Sequence, residues 1–194
     1  GQVKDTPSDE IEEQQQGPVS APLFGVLVLI SFLVESGNHE ASGKLLRALV
    51  LTAFSVRLFP ILRLPTIRRF SAWSLWIGFW MVLLGQWLAG LFPDYEIVAL
   101  HLTFVGGFSL ITLIVSTRVI AAHCGPESIW SAKAWALKVL ALFVFAALIS
   151  GVSSDFLDWY YFGMLHIAAG FWMVAALVWG VAYIPRMWRR PASE

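Results

Sequence analysis

Four histidines and a few arginines are the residues of this chain that could do chemistry. Imidazole is a common axial ligand of haem iron and a good ligand for copper. His101 and His166 lie inside long apolar stretches, where an ionisable residue is rare and usually functional. His39 lies in the loop between the first two such stretches, and His123 lies at the end of the fourth. Whether any two of them meet depends on the elements that carry them.

The composition indicates a membrane protein. Of the 194 residues, 58% are hydrophobic and 13% are charged, whereas a soluble domain is about 25% charged and about 45–50% apolar. The 13 lysines and arginines balance 13 acids, and a net charge of zero argues against a nucleic-acid partner. The single cysteine, Cys124, excludes an intrachain disulfide framework and a multi-cysteine metal site.

Six stretches approach the roughly 20 apolar residues that a membrane span requires. They lie at about 21–36, 44–62, 72–92, 95–122, 132–152 and 158–185. The breaks between them are short, so neighbouring helices run antiparallel. We therefore predict an all-α polytopic integral membrane protein, a six-transmembrane-helix bundle over residues 19–190, preceded by an acidic disordered tail over residues 1–18.

Basic residues predict the orientation of this bundle. Both termini of a six-span chain lie on one side of the membrane, and the loops of that side are basic. They carry Arg63, Arg68, Arg69, Lys133, Arg186, Arg189 and Arg190. The loops of the other side carry only Lys44 and Arg47 as basic residues, among several acids. The positive-inside rule therefore predicts that both termini are cytoplasmic.

His101 and His166 fall at similar depths in this topology. They lie six and eight residues inside their helices from the periplasmic end, which at 1.5 Å per residue is roughly 9 and 12 Å. We therefore predict that they are the two axial ligands of a haem near the periplasmic face, with Gly107 and Gly170 leaving room for the macrocycle. Alternatives are that only one is a ligand, that both histidines and glycines serve helix packing, or that the histidines relay protons.

Five further residues are weaker candidates. His39 could join a metal site with nearby carboxylates, although plain exposure explains a loop histidine. His123 and Cys124 end the fourth helix and could bind copper, although a helix cap is the simpler explanation. Arg57 and Arg118 lie toward the cytoplasmic side, where they either snorkel to the interface or form an anion pocket.

The stretch from His101 to Gly125 resembles the signature of the NnrS family. It reads HLTFVGGFSLITLIVSTRVIAAHCG and contains a His, a Val-Gly pair, a Thr-Arg pair and a second His before the last glycine. The end of the chain, from His166 to Pro185, is also similar. The resemblance covers about residues 44–190 and corresponds to the C-terminal half of a family with more helices. The chain would then be a short member, a fragment or a protomer that pairs.

The resemblance implies a haem, most simply b-type, in a bacterial inner membrane, and a link to nitric oxide, and it leaves open whether copper is bound as well. It carries over His101, Arg118, His123 and His166 without saying which of them bind metal. We predict a haem-binding protein of the nitrosative-stress response or of membrane electron transfer, with nitric oxide as a small ligand. The partners would be the lipid bilayer and either a second copy or a membrane complex. Alternatives are a cofactor-free accessory or scaffold subunit and half of a transporter.

Overall fold

The computed structural model describes residues 20–37, 39–58, 61–66, 69–124 and 134–187. All regular elements in these ranges are helical, which confirms the all-α prediction for them. The α-helices are α1 (Ser20–Ser36), α2 (Glu40–Leu58), α3 (Phe70–Leu91), α4 (Glu96–Leu100), α5 (Ser109–Cys124), α6 (Ala134–Ser154) and α7 (Tyr161–Met187). A π-helix over His101–Phe108 joins α4 to α5. The predicted tail lies outside the described residues.

Four helical stretches of the described residues are long and apolar enough to cross a membrane. They are Phe70–Leu91, Pro93–Ala122, Trp135–Ser154 and Tyr161–Pro185. Only 22–50% of their apolar windows is buried inside the bundle. A soluble monomer rarely exposes apolar surface on this scale, whereas lipid tails cover it without cost. The protein is therefore a helical membrane protein.

The first two helices differ from these four. α1 is apolar but has 17 residues, which is at the short limit for a span. α2 has 19 residues and carries four charged side chains within its length. They are Glu40, Lys44, Arg47 and Arg57. Six spans and cytoplasmic termini therefore remain predictions.

Small residues set how closely the helices approach each other. A Cβ on Gly85 of α3 would collide with Thr103 Oγ1 and would lie 2.8 Å from the carbonyl oxygen of Ala99. A Cβ on Gly107 would lie 2.9 Å from the carbonyl oxygen of Gly78. Both distances are shorter than real contacts of a Cβ. The backbones of α3 and of the π-helix therefore meet directly, as is typical of membrane helices.

The π-helix is the irregular part of the long helical stretch at 96–124. It contains the pair Gly106 and Gly107, both buried. Ser109 Oγ donates to the carbonyl oxygen of Phe104, five residues earlier, at 3.0 Å. Single π turns occur often at functional sites, where they shift the side chains that follow them. His101 is the first residue of this segment.

Candidate functional site

His101 makes the kind of hydrogen bond that metal-bound histidines commonly make. Its Nδ1 lies 2.9 Å from the carbonyl oxygen of Ile97, one turn earlier. Because a carbonyl oxygen only accepts hydrogen bonds, Nδ1 carries the proton in this pair. In the neutral ring Nε2 then carries the lone pair, the arrangement found in most metal-bound histidines.

The ring of His101 is half-buried against α6. A Cβ on Gly151 would collide with His101 Cδ2 and would lie 2.7 Å from Nε2. Gly151 is itself buried. The imidazole therefore occupies space that any larger residue at position 151 would fill.

A cavity of about 420 Å³ separates the π-helix from α7 beside His101. One wall comes from the π-helix and the start of α5, and the other from one face of α7. The lining residues are His101, Phe104, Val105, Ser109, Leu165, Ala168, Ala169 and Trp172. Trp172 Nε1 donates to Ser109 Oγ at 2.9 Å and ties the two walls together. The cavity is mostly apolar, with the imidazole, one hydroxyl and one indole as polar groups.

Two tryptophan hydrogen bonds fix the register between the parallel helices α5 and α7. Trp172 bonds Ser109, and Trp179 Nε1 donates to Thr117 Oγ1 at 2.9 Å. The partners are 63 and 62 residues apart. Extending this register places His101 level with residue 163 or 164. His166 then lies two or three residues deeper, about 3–5 Å along the helix axis.

His166 lies on a different face of α7 from the cavity. Its side chain is exposed. Ala168, Ala175 and Ala182, at seven-residue steps, are buried. Successive helix residues are about 100° apart, so His166 is about 160° from Ala168 and about 60° from Ala169, the nearest residue of α7 that lines the cavity. His101 and His166 are therefore close in depth but do not face one cavity.

The local geometry of His166 nevertheless matches that of His101. Its Nδ1 lies 2.6 Å from the carbonyl oxygen of Phe162, one turn earlier. The same reasoning leaves a lone pair on Nε2. Each imidazole therefore has the donor chemistry of an axial ligand, and the two differ in what surrounds them.

The two glycines predicted to pack a haem have different surroundings. Gly107 is buried against α3, where an added Cβ would lie 2.5 Å from Val82 Cγ2. Close helix packing therefore explains why residue 107 is a glycine. Helix packing was the alternative to haem binding that the sequence left open for this residue. Gly170 is exposed on the face of His166 and has nothing within 4 Å of an added Cβ. Open space therefore exists beside His166, but on the outside of the bundle.

The other candidates are spread over the chain. His39, Arg57 and Arg118 are exposed. His123 and Cys124 belong to the last turn of α5, but their side chains lie outside the described part of the structure. Within the described residues, no group of three or more His, Cys, Asp or Glu side chains could hold a metal ion.

A polar network that the sequence did not predict links α1, α2 and α3. Arg47 Nη2 lies 2.8 Å from Glu35 Oε2, and Arg47 Nε donates to Gln86 Oε1 at 2.9 Å. Nearby, Lys44 Nζ forms a 2.8 Å ion pair with Glu96 Oε1, and the Lys44 side chain is only 6% exposed. The sequence placed Lys44 and Arg47 near a loop. The only signal in the sequence was their three-residue spacing, which puts them on one face of α2.

The described residues define a class of protein, a helical membrane bundle with an imidazole-lined cavity between two parallel helices. The family described as NnrS protein matches residues 5–190, and the chain belongs to that family. The match confirms the resemblance and extends it to α1. No curated protein and no solved structure matches the chain.

Proposed function

We propose that this NnrS-family membrane protein binds a haem, which His101 would hold through Nε2 at the cavity. The observation that carries the proposal is the hydrogen bond from His101 Nδ1 to Ile97, together with the cavity that the ring lines. The bond fixes the tautomer of the neutral ring and its orientation, and most of the cavity wall is apolar. We further propose the bacterial inner membrane as the location.

A bound haem would supply an iron that binds nitric oxide or carries an electron. The residues of this chain would position it. Ile97 holds the imidazole through its carbonyl oxygen, and Gly151 leaves room for the ring. Trp172 and Ser109 close the far wall of the cavity through their hydrogen bond. These contacts support a ligand that is oriented before the cofactor arrives.

His166 decides between two versions of this proposal. With His166 as a second ligand the iron has no free position, which suits electron transfer. With His101 alone the iron keeps an open position, which suits a small ligand such as nitric oxide. The outward face of His166 favours the single-ligand version within one chain. In that version His166 contributes to a separate contact with lipid or with a second copy.

The test is the optical spectrum of the full chain, purified from haem-replete cells, with iron and copper determined in the same sample. We expect a Soret band that is lost in His101→Ala and partly restored by added imidazole. Rescue by imidazole separates ligation from a structural role. His39→Ala is the matched control, because His39 is exposed and lies outside the cavity, and it should keep the spectrum.

The His166→Ala variant distinguishes the two-ligand version of the proposal from the single-ligand version. A low-spin spectrum that becomes high-spin in this variant would establish the two-ligand version. An unchanged spectrum would establish the single-ligand version. A wild-type protein that is colourless and contains no iron would overturn the proposal and favour the cofactor-free accessory subunit.

A further inference from the structure

A second cavity lies at the opposite end of the bundle from the polar network, where α3 begins. It measures about 580 Å³ and combines two arginines, Arg63 and Arg118, with a largely apolar wall. We infer that it binds an anionic phospholipid, with the phosphate on the two guanidinium groups and an acyl chain along the wall. The inference rests on the membrane assignment and not on the proposed haem.

The apolar wall is one continuous face of α3. Ala72, Leu75, Trp76 and Phe79 line the cavity, and their spacing of three, one and three residues places them on one side of a helix. The eight residues from 72 to 79 span about 10 Å along the helix axis. An extended hydrocarbon segment can therefore lie along it, starting at the arginine end.

The opposite wall, residues 61–66, is anchored to α3. Trp76 Nε1 donates to the carbonyl oxygen of Ile61 at 2.8 Å. Ile61 itself is 4% exposed. Arg63, Leu64, Pro65 and Thr66 follow it in the lining. The cavity therefore exists before a ligand binds, which lowers the entropic cost of binding.

Arg118 lies at the level where a headgroup would be. The contacts of Gly78 with Gly107 and Ile111 fix the register between the antiparallel helices α3 and α5. Extending this register by seven residues from Ile111 brings Arg118 level with Ser71, close to the start of α3. Leu75 to Phe79 lie deeper by about 6–12 Å. The charges are thus at the rim and the apolar wall is inside, as an amphipathic ligand requires.

The two arginines have no acidic counterpart among the described residues. The ion pairs recorded there, Lys44–Glu96 and Arg47–Glu35, lie at the other end of the bundle. A guanidinium fork matches phosphate oxygens and binds them with charge-assisted hydrogen bonds. Basic pockets between membrane helices at headgroup depth bind anionic lipid headgroups. A free phosphate would leave the apolar wall uncovered, and a choline headgroup would add a third cation.

The experiment compares three probes on the purified full chain in detergent, by native mass spectrometry and by thermal shift. The probes are dioctanoyl phosphatidylglycerol, dioctanoyl phosphatidylcholine and inorganic phosphate. We expect phosphatidylglycerol to bind about tenfold more tightly than phosphatidylcholine, the equivalent of one charge-assisted contact. Inorganic phosphate at equal concentration should compete poorly.

Two kinds of variant locate the site. Arg63→Gln combined with Arg118→Gln should remove the preference for phosphatidylglycerol. Arg57→Gln is the matched control, because Arg57 is an exposed arginine in the last turn of α2 and does not line the cavity. Ala72→Phe fills the cavity and leaves both charges in place, so it should also weaken lipid binding and serves if the double variant does not fold.

Three results would overturn the inference. Equal affinity for the two lipids would show that the arginines do not select charge. An Arg57→Gln effect as large as that of the double variant would show a general surface attraction. Inorganic phosphate binding as tightly as the lipid would show a phosphate site without an acyl groove.

Discussion

Replacement of Gly151 by alanine tests whether the His101 imidazole packs against α6, because it adds a single methyl group at the point of contact. Gly151 is buried in α6. The added Cβ would collide with His101 Cδ2 and lie 2.7 Å from Nε2. The ring is tied to Ile97 by its 2.9 Å hydrogen bond, so it cannot retreat without losing that bond.

The distances give the size of the effect. To bring Nε2 from 2.7 Å to an ordinary contact of 3.4 Å, the ring or α6 must move by at least 0.7 Å, and Cδ2, which is closer still, requires a larger movement. Overpacking of this kind costs about 1–3 kcal/mol. Replacing glycine with alanine inside a helix stabilises the folded state by about 1 kcal/mol. We therefore expect Gly151→Ala to lower stability by up to about 2 kcal/mol.

Gly25→Ala is the control that removes the helix-propensity contribution. Gly25 lies in α1, and an added Cβ there meets nothing within 4 Å. The difference between the two variants then reports the clash alone, about 1–3 kcal/mol. Thermal unfolding in detergent measures this difference, and the Soret band measures the effect on the proposed haem ligand.

The expected outcome is a lower melting temperature and a reduced or shifted Soret band in Gly151→Ala, with neither change in Gly25→Ala. If both variants melt together and keep the same spectrum, the imidazole does not lie against Gly151. A loss of stability with an unchanged Soret band would show that His101 packs against α6 but does not hold the haem.

Three further changes test the packing around the site. Gly85→Ala should destabilise the protein by about 2 kcal/mol or more, since the Cβ would meet backbone and side chain of the neighbouring helix, and a neutral thermal shift would contradict this. Lys44→Met should cost about 1 kcal/mol or less, because Glu96 is 46% exposed and can turn to water, and a loss of folding would contradict this. Trp172→Phe should lower the stability by about 1 kcal/mol, because the hydrogen bond to Ser109 is lost. A double-mutant cycle with Ser109→Ala should give a coupling energy of the same size. Additive effects of the two substitutions would contradict the hydrogen bond.

The membrane helices could be predicted from the sequence because their apolar runs are long. The four stretches that qualify as spans contain few charges, so hydropathy alone identifies them. α2 is different, because Lys44 and Arg47 are paired with Glu96 and Glu35 from neighbouring elements. Such pairing depends on tertiary contacts, so the hydropathy of the α2 sequence does not reveal it.

The direction in which His166 faces could not be predicted from composition. In a soluble helix, apolar residues mark the buried side, but lipid tails are as apolar as the core. In a membrane helix, small residues are therefore the better indicator of the side that packs against other helices. α7 has two rows of residues that contain small side chains. The alanine stripe at Ala168, Ala175 and Ala182 is buried, whereas the stripe of His166 and Gly170 continues through Met173 and Leu177, which are 60% and 64% exposed. The size of the residues along the whole stripe therefore indicates which side of α7 is buried.

The π-helix is a second feature that the sequence concealed. Residues 101–108 read as ordinary apolar helix. The wider turn becomes favourable once Gly106 and Gly107 pack against α3 and Ser109 caps the carbonyl oxygen five residues earlier.

The packing of α7 keeps His166 out of the cavity that His101 lines. To bring His166 into the cavity, α7 would have to turn by about 100° or more. The turn would break the hydrogen bonds of Trp172 and Trp179, each worth about 1 kcal/mol. It would also lift the alanine stripe away from α6 and expose it. The donor chemistry of both histidines is local, since each bonds the carbonyl oxygen one turn earlier, but convergence depends on these helix contacts. They leave only His101 beside the cavity, which is the arrangement that the single-ligand version of the proposal requires.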